Sequence, residues 1–155
     1  LESFNSFTVP VSKGPMAGEP TPSAPTADLT RRVGDRDHLV AAFCDGCGNH
    51  TFPAASACPR CGGATTETAA PTSGVVWSWT VQRIRPKPPY AGPAEYEPFA
   101  LGYVDLGVLS VETPLAGRPV DAWQIGDAVH LVVADSHAHH GAPFWFEADR
   151  DAGAA

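Results

Sequence analysis

Four cysteines form the pattern with the clearest chemical meaning in this sequence. Cys44 and Cys47 make one CxxC pair, and Cys58 and Cys61 make a second within the same stretch of 18 residues. Two such turns facing each other place four thiolates around one ion, in the tetrahedral arrangement that zinc prefers. Four thiolates leave no position for water, so the pattern predicts one structural, non-catalytic Zn²⁺ per chain.

Two other chemistries use the same residue types. The cysteines could form two disulfides in a secreted module, but paired CxxC turns fit a thiolate-bound metal in a reducing compartment better. The words CDGCG and CPRCG also look like the knuckles of rubredoxin, in which iron occupies the same sulfur cage. The rest of the chain offers no obvious flavin or nicotinamide site for electron exchange, so we expect zinc.

The remaining reactive residue types form no recognisable catalytic set. Asp135, Ser136 and His137 are consecutive, and three consecutive residues cannot reach triad geometry with one another. His137, His139 and His140 could bind a second metal, but no carboxylate or cysteine pattern accompanies them, and solvated loop histidines are the simpler interpretation. The sequence has no Walker loop, no GxGxxG and no paired-carboxylate motif. We therefore expect no catalytic residue in this chain.

The net charge, the lysine count and the lengths of the apolar runs exclude several classes of protein. The net charge is −7 and there are two lysines, Lys13 and Lys87, whereas a protein that binds a nucleic-acid backbone needs a surplus of cations. No apolar run approaches the roughly 20 residues that cross a bilayer, and no signal-peptide pattern opens the chain. We expect a cytoplasmic protein that binds neither membrane nor nucleic acid.

Changes in composition predict how the chain is organised. Met16 is the only methionine, which indicates that it is the native start and that residues 1–15 are an artificial leader. Pro-, Ala- and Thr-rich sequence then predicts an extended tail, followed by a turn or two of helix. The predicted units are a leader (1–15), a tail with a short helical lead-in (16–40), a rubredoxin-like zinc ribbon (41–63), a linker that separates two cores (64–73), an OB-fold barrel (74–148) and a C-terminal tail (149–155).

Sixteen prolines and fifteen glycines point to a turn-rich, mainly β protein, and alternating apolar residues mark its strands. Val75, Trp77, Trp79 and Val81 predict a strand with these four side chains on one face. The other strands are predicted at 99–106, 108–113, 128–134 and 143–148. Five short strands with irregular loops favour a five-stranded OB barrel over a sandwich, which normally has about seven.

Aromatic residues concentrate in the predicted barrel. They could form a stacking platform for single-stranded nucleic acid, but their alternation along the strands and the acidic balance of the chain favour core packing or a protein interface. The residues concerned are Trp77, Trp79, Trp123, Phe144, Trp145 and Phe146.

The order of these parts resembles the zinc-ribbon/OB-fold family of acyl-CoA-associated proteins, a domain-of-unknown-function family that accompanies thiolases and related enzymes. The stretches that carry the resemblance span about residues 38–148. They are FCDGCGNHTFPAASACPRCGG, GVVWSWTVQRI, FALGYVDL and WQIGDAVHLVVAD. The usual lead-in of the family is a longer amphipathic helix than this sequence provides.

The resemblance implies a non-catalytic accessory subunit in a hetero-oligomer with a thiolase-fold acyl-CoA enzyme. Such a partner is a thiolase or a retro-aldolase, including those of lipid metabolism and steroid side-chain degradation. The subunit would stabilise the enzyme or help to form a path for the CoA thioester. The alternatives are a single-stranded nucleic-acid-binding OB protein and a rubredoxin-like electron carrier.

The long segment 83–98 is the candidate contact with this partner. Its prolines stiffen the chain and lower the entropy lost on docking. It also carries cations that could meet CoA phosphates, and tyrosines, which are enriched at interface anchors. The candidate contact residues are Arg83, Arg85, Lys87, Tyr90 and Tyr96. A solvated loop is the simpler alternative for the same segment.

Overall fold

The fold is entirely β in the part of the chain that the computed structural model describes, which is residues 29–88, 93–134 and 139–149. These ranges contain no helix long and apolar enough to cross a membrane. The strands are β1 (Thr30–Val33), β2 (Arg36–Phe43), β3 (His50–Thr51), β4 (Thr66–Ala69), β5 (Ser73–Gln82), β6 (Phe99–Asp105), β7 (Ser110–Ala116), β8 (Ala128–Val133) and β9 (Phe144–Ala148).

The described chain begins with a β-hairpin, so the helical lead-in predicted before residue 40 is wrong for residues 29–40. Strands β1 and β2 pair antiparallel from Thr30 opposite Leu39 to Val33 opposite Arg36. Gly34 lies between them with φ of 65°, the left-handed conformation that tight hairpin turns require. The glycine that weakens a helix therefore makes the turn. The predicted leader and the extended tail up to residue 28 lie outside the described residues.

Strand β2 is the centre of the ribbon sheet. Its second half pairs antiparallel with β3 and with β4. The β4 register runs from Val40 opposite Ala69 to Phe43 opposite Thr66. Residues 64–73, predicted as a linker, thus contain a strand of the ribbon and the first residue of β5. The ribbon sheet consequently extends on both sides of the predicted range 41–63.

The remaining five strands close into a barrel in the order β5-β6-β7-β9-β8. All neighbours are antiparallel except β7 and β9, which pair in parallel at Leu115 opposite Phe146. This is the Greek-key closure expected of a five-stranded OB barrel, and it confirms the five strands predicted from alternation. Gly107 and Gly126 lie in the turns before β7 and β8, with φ of 82° and 93°.

A β-bulge in β5 changes which side chains face the core. The register with β6 shifts between Val76 and Ser78, so Trp77 is the extra residue. Val76 is fully buried, whereas Trp77 is 61% exposed and Trp79 packs against the core. The expectation that Val75, Trp77 and Trp79 share one face is therefore wrong, because the bulge reverses the alternation in the middle of the strand.

The ribbon and the barrel share one hydrophobic core. Leu39 and Ala41 of β2 belong to the same buried cluster as Val76 and Phe146 of the barrel. Ala70 joins this cluster from the segment between them, and its N–H donates to the Leu39 carbonyl at 3.0 Å. The expectation of two cores separated by a linker is thus wrong. Strand β2 lies close enough to β8 for both sheets to bury the same apolar groups.

The shared core predicts that a ribbon substitution destabilises the barrel. We expect Leu39→Ala to lower the free energy of unfolding by roughly 2–5 kcal/mol, because it leaves a cavity at a fully buried site. All four tryptophans lie in or between barrel strands, so urea unfolding followed by tryptophan fluorescence reports on the barrel alone. The matched control is Val33→Ala on exposed β1. An unchanged fluorescence midpoint in Leu39→Ala would contradict a common core.

Candidate metal centre

The four cysteines converge as the spacing predicts. Their Sγ atoms all lie within 4.8 Å of one another. The Sγ atoms of Cys44 and Cys61 are 3.5 Å apart, and those of Cys47 and Cys58 are 3.6 Å apart. In a regular ZnS₄ tetrahedron with bonds of about 2.3 Å, the sulfurs lie about 3.8 Å apart. The donor set therefore fits one tetrahedral ion, with each knuckle supplying two ligands.

Both knuckles are built by the same backbone hydrogen bonds. The Gly48 N–H donates to the Cys44 carbonyl at 2.8 Å, and the Gly62 N–H donates to the Cys58 carbonyl at 2.8 Å. Gly48 and Gly62 have φ of 71° and 75°, a conformation that residues with a side chain rarely adopt. In both knuckles this left-handed residue comes directly after the second cysteine of the pair.

The thiols are strongly perturbed by one another. A backbone hydrogen bond near Asn49 lowers the pKa of Cys47, but burial and the hydrogen bonds with the other three cysteines raise it to about 12. Burial raises the pKa of Cys58, but N–H donors of Cys61 and Arg60 outweigh this and bring it to about 6. Four negative charges cannot collect at these distances unless a cation compensates them.

The site is closed around such an ion. Cys44 and Cys58 are buried and Cys61 faces solvent. His50, which could in principle replace a thiolate, instead packs its ring against Phe43 with centroids 4.8 Å apart and is not among the converging donors. Four thiolates complete a tetrahedron, so an ion held here would fix the fold and have no position at which to activate water.

Three of the residues predicted to contact a partner are engaged by other residues of this chain. Arg83 forms an ion pair with Asp121 at 2.6 Å. Arg85 donates to the carbonyls of Pro93 and Ala94. The Tyr96 hydroxyl donates to the Gln82 carbonyl, and its ring packs against Phe99. Lys87 is exposed, and Tyr90 lies outside the described residues. The structure thus leaves Lys87 as the described cation of this loop that faces solvent without a partner of its own chain.

Two of the loop histidines form a half-buried pair. The ring of His140 stacks on Phe99 with centroids 4.2 Å apart, and the ring of His139 lies 4.6 Å from His140 and 5.2 Å from Trp145. Burial lowers the pKa of both imidazoles, and at His139 the neighbouring His140 lowers it further. The third histidine considered for a second metal site, His137, lies outside the described residues, as do Asp135 and Ser136.

The aromatic residues considered as a stacking platform do not share a face. Trp123, Phe144 and Phe146 are buried in the core. Trp77 points outward beside Tyr103, with ring centroids 6.2 Å apart. The sequence analysis did not identify Tyr103 as a contact of Trp77. The contact depends on how β5 pairs with β6, including the bulge, and the alternation of residues along one strand does not show this pairing.

The chain is similar to known proteins over both sheets. Residues 31–67 match the family model described as the rubredoxin-like zinc ribbon domain of ChsH2, and residues 67–134 match the model described as its C-terminal OB-fold domain. A solved structure titled Ltp2-ChsH2(DUF35) aldolase is 26% identical, with a TM-score of 0.56. The match covers 72% of this chain and 84% of that chain.

A second solved structure is more distant. It is a protein of unknown function from the DUF35 family of Sulfolobus solfataricus, 16% identical, with a TM-score of 0.45 over 72% of this chain and 76% of that chain. A comparison with curated proteins gave no match.

The metal site predicts a colourless protein with one zinc per chain. We expect elemental analysis to give one zinc per polypeptide, and Cys58→Ser to lose it because three thiolates and a weak hydroxyl donor no longer complete the shell. Since the ribbon shares its core with the barrel, Cys58→Ser should also lower the unfolding midpoint of the barrel tryptophans. Cys44→Ser is the companion variant. A red protein containing iron would contradict the assignment of zinc.

The histidine pair predicts a loss of stability at acid pH. Because the pKa of both imidazoles is lowered in the folded chain, the unfolded chain binds more protons below about pH 6.5. Stability should therefore fall as the pH drops below that value. We expect a His139→Gln/His140→Asn variant to lose less melting temperature than the unchanged protein between pH 7 and pH 5.5, both proteins being scanned side by side. Parallel pH profiles would show that the pair does not contribute.

Proposed function

Because the chain belongs to the ChsH2 family of zinc-ribbon and OB-fold proteins, we propose that it is an accessory subunit of a hetero-oligomeric aldolase-type enzyme. The observation that carries the proposal is the similarity to a chain of the Ltp2-ChsH2 aldolase structure. It extends over most of both chains and includes the ribbon as well as the barrel.

The proposal assigns no catalytic residue to this chain. The four thiolates would hold a structural zinc with a full coordination shell, so the ion has no position for a substrate or water. The role of the zinc would be structural. It would hold the two knuckles together at the end of β2, and the inner side chains of β2 pack in the barrel core. Four free thiols also fit a reducing compartment, which is why we place the protein in the cytoplasm.

The partner in this proposal is a thiolase-fold enzyme that cleaves or forms carbon–carbon bonds in acyl-CoA thioesters, such as a retro-aldolase of lipid or steroid side-chain breakdown. The loop 83–98 is the proposed contact with the partner or with CoA. Arg83, Arg85 and Tyr96 hold the loop in shape, since each bonds within this chain. This leaves Lys87 as the described residue of the set that is exposed and free to make the contact, and Tyr90, which lies outside the described residues, stays a proposed contact.

We expect a thiolase-fold protein to co-purify with this chain. Co-expression of the two should give one species on gel filtration, identified by mass spectrometry. The complex should cleave a β-hydroxyacyl-CoA to an acyl-CoA product and a carbonyl product. This chain alone should have no turnover, and the partner alone should be less soluble or less active.

Two results would overturn the proposal. One is turnover by this chain after the partner has been removed. The other is a partner whose solubility and activity are the same with and without this chain. Salt-sensitive binding of a single-stranded oligonucleotide would favour the nucleic-acid alternative instead.

A further inference from the structure

The outer face of strands β5, β6 and β7 carries an exposed aromatic group. Along β6, Ala100, Gly102 and Val104 point into the barrel and are buried, so Tyr103 points outward. Tyr103 is 41% exposed, and its ring meets the outward-pointing ring of Trp77 edge to face. Most large apolar side chains of a stable monomer are covered, so two large exposed aromatic rings in contact mark a candidate interaction surface.

A bulge in β5 lies at Trp77. Trp77 and Ser78 together lie opposite Tyr103 of β6, because the register shifts between Val76 and Ser78. Trp77 points outward, and Trp79 returns to the inner side of the strand, where it packs against the core. Bulges are over-represented next to functional sites, and this one lies where the largest side-chain type faces solvent.

A carboxylate completes the group. Glu112 on β7 lies opposite Tyr103 and accepts a hydrogen bond from its hydroxyl at 2.8 Å. Within the described ranges, Glu112 has no ion pair with a lysine, arginine or histidine. The bond to Glu112 and the negative charge of Glu112 raise the pKa of Tyr103, so the phenol stays protonated and donates. We call Trp77, Tyr103 and Glu112 the Trp77 face.

We propose that the Trp77 face is where the partner enzyme docks, and that the partner presents an arginine or lysine side chain within an apolar patch. The proposal rests on the proposed function and adds a location and a chemistry to it. A cation over the exposed face of Trp77 or Tyr103 would gain from the negative face of the ring and from the Glu112 carboxylate, which accepts the Tyr103 hydrogen bond but has no cationic partner among the described residues. The apolar stem of the same side chain would cover the rings.

Charge complementarity decides which class of partner fits. The chain has a net charge of −7, and the charged group of the Trp77 face is itself a carboxylate. A nucleic-acid strand would bring phosphates against Glu112, although aromatic rings on an OB barrel could otherwise stack with bases. A second copy of this chain would bring Glu112 against another acidic surface. A protein with a local positive charge is the partner whose charge Glu112 attracts.

The other end of the same strand face is closed by this chain itself. Phe99 also points to the outside of the barrel, but His140 stacks on it and Tyr96 packs against it. The loops before β6 and before β9 therefore cover the Phe99 end and leave the Tyr103 end open.

The test uses the partner identified by co-purification, then purified separately, and measures its affinity for full-length variants. We expect Trp77→Ala to weaken binding at least about tenfold, since exposed tryptophans of this kind are frequent hot spots. Glu112→Gln should weaken it less and reduce its dependence on salt concentration. The matched controls are Ile125→Ala, which removes a side chain 74% exposed elsewhere on the barrel, and Asp35→Asn, which removes one acidic charge at the ribbon turn.

Each outcome has a defined meaning. Loss of affinity in the two face variants, with both controls within about twofold of the unchanged protein and equal melting temperatures, supports the docking surface. Unchanged affinity of Trp77→Ala and Glu112→Gln overturns the surface and leaves the accessory function standing. If the unchanged protein binds no partner, the proposed function fails and the inference fails with it. Self-association that Trp77→Ala abolishes would overturn the inference by assigning the face to a second copy.

Discussion

Strand β2 connects the metal-binding knuckles to the barrel core. It ends immediately before Cys44, so an ion that fixes the first knuckle also fixes the end of this strand. Its inner residues Leu39 and Ala41 are buried with barrel residues, and its edges pair with the other ribbon strands. The ribbon has few large apolar groups of its own. Its order therefore comes from sulfur ligation at one end of β2 and from the shared core at the other.

Local patterns were sufficient for the parts of the structure that local forces determine. CxxC spacing predicts the knuckles because the turn lies within each pair, and period-two alternation predicts the barrel strands because each buries one face. The pattern fails for β1 and β4, whose sequences TRRV and TETA are mostly polar and exposed. These strands form because β2 supplies backbone partners on both of its edges, which a window of sequence cannot show.

Long-range contacts account for the other differences. The bulge at Trp77 is a property of how β5 registers with β6, and Val75 to Val81 alternate regularly in the sequence alone. Arg83 is counted as a free cation in the sequence, yet its partner Asp121 is 38 positions away. Charge and aromatic content thus predict which segments can bind a partner. The fold then determines which side chains of those segments are engaged within the chain and which remain exposed for a partner.

The interior of this protein has little capacity for function. The knuckles leave an ion with a full shell, and the barrel centre is filled by fully buried side chains from four strands, including Val76, Val104, Val129 and Phe146. A small molecule could enter the barrel centre only by displacing buried side chains. Closely packed interiors resist such displacement. Within the described ranges, binding is therefore expected at the outer surface. There the exposed rings of Trp77 and Tyr103 and the carboxylate of Glu112 lie together on one face of the barrel.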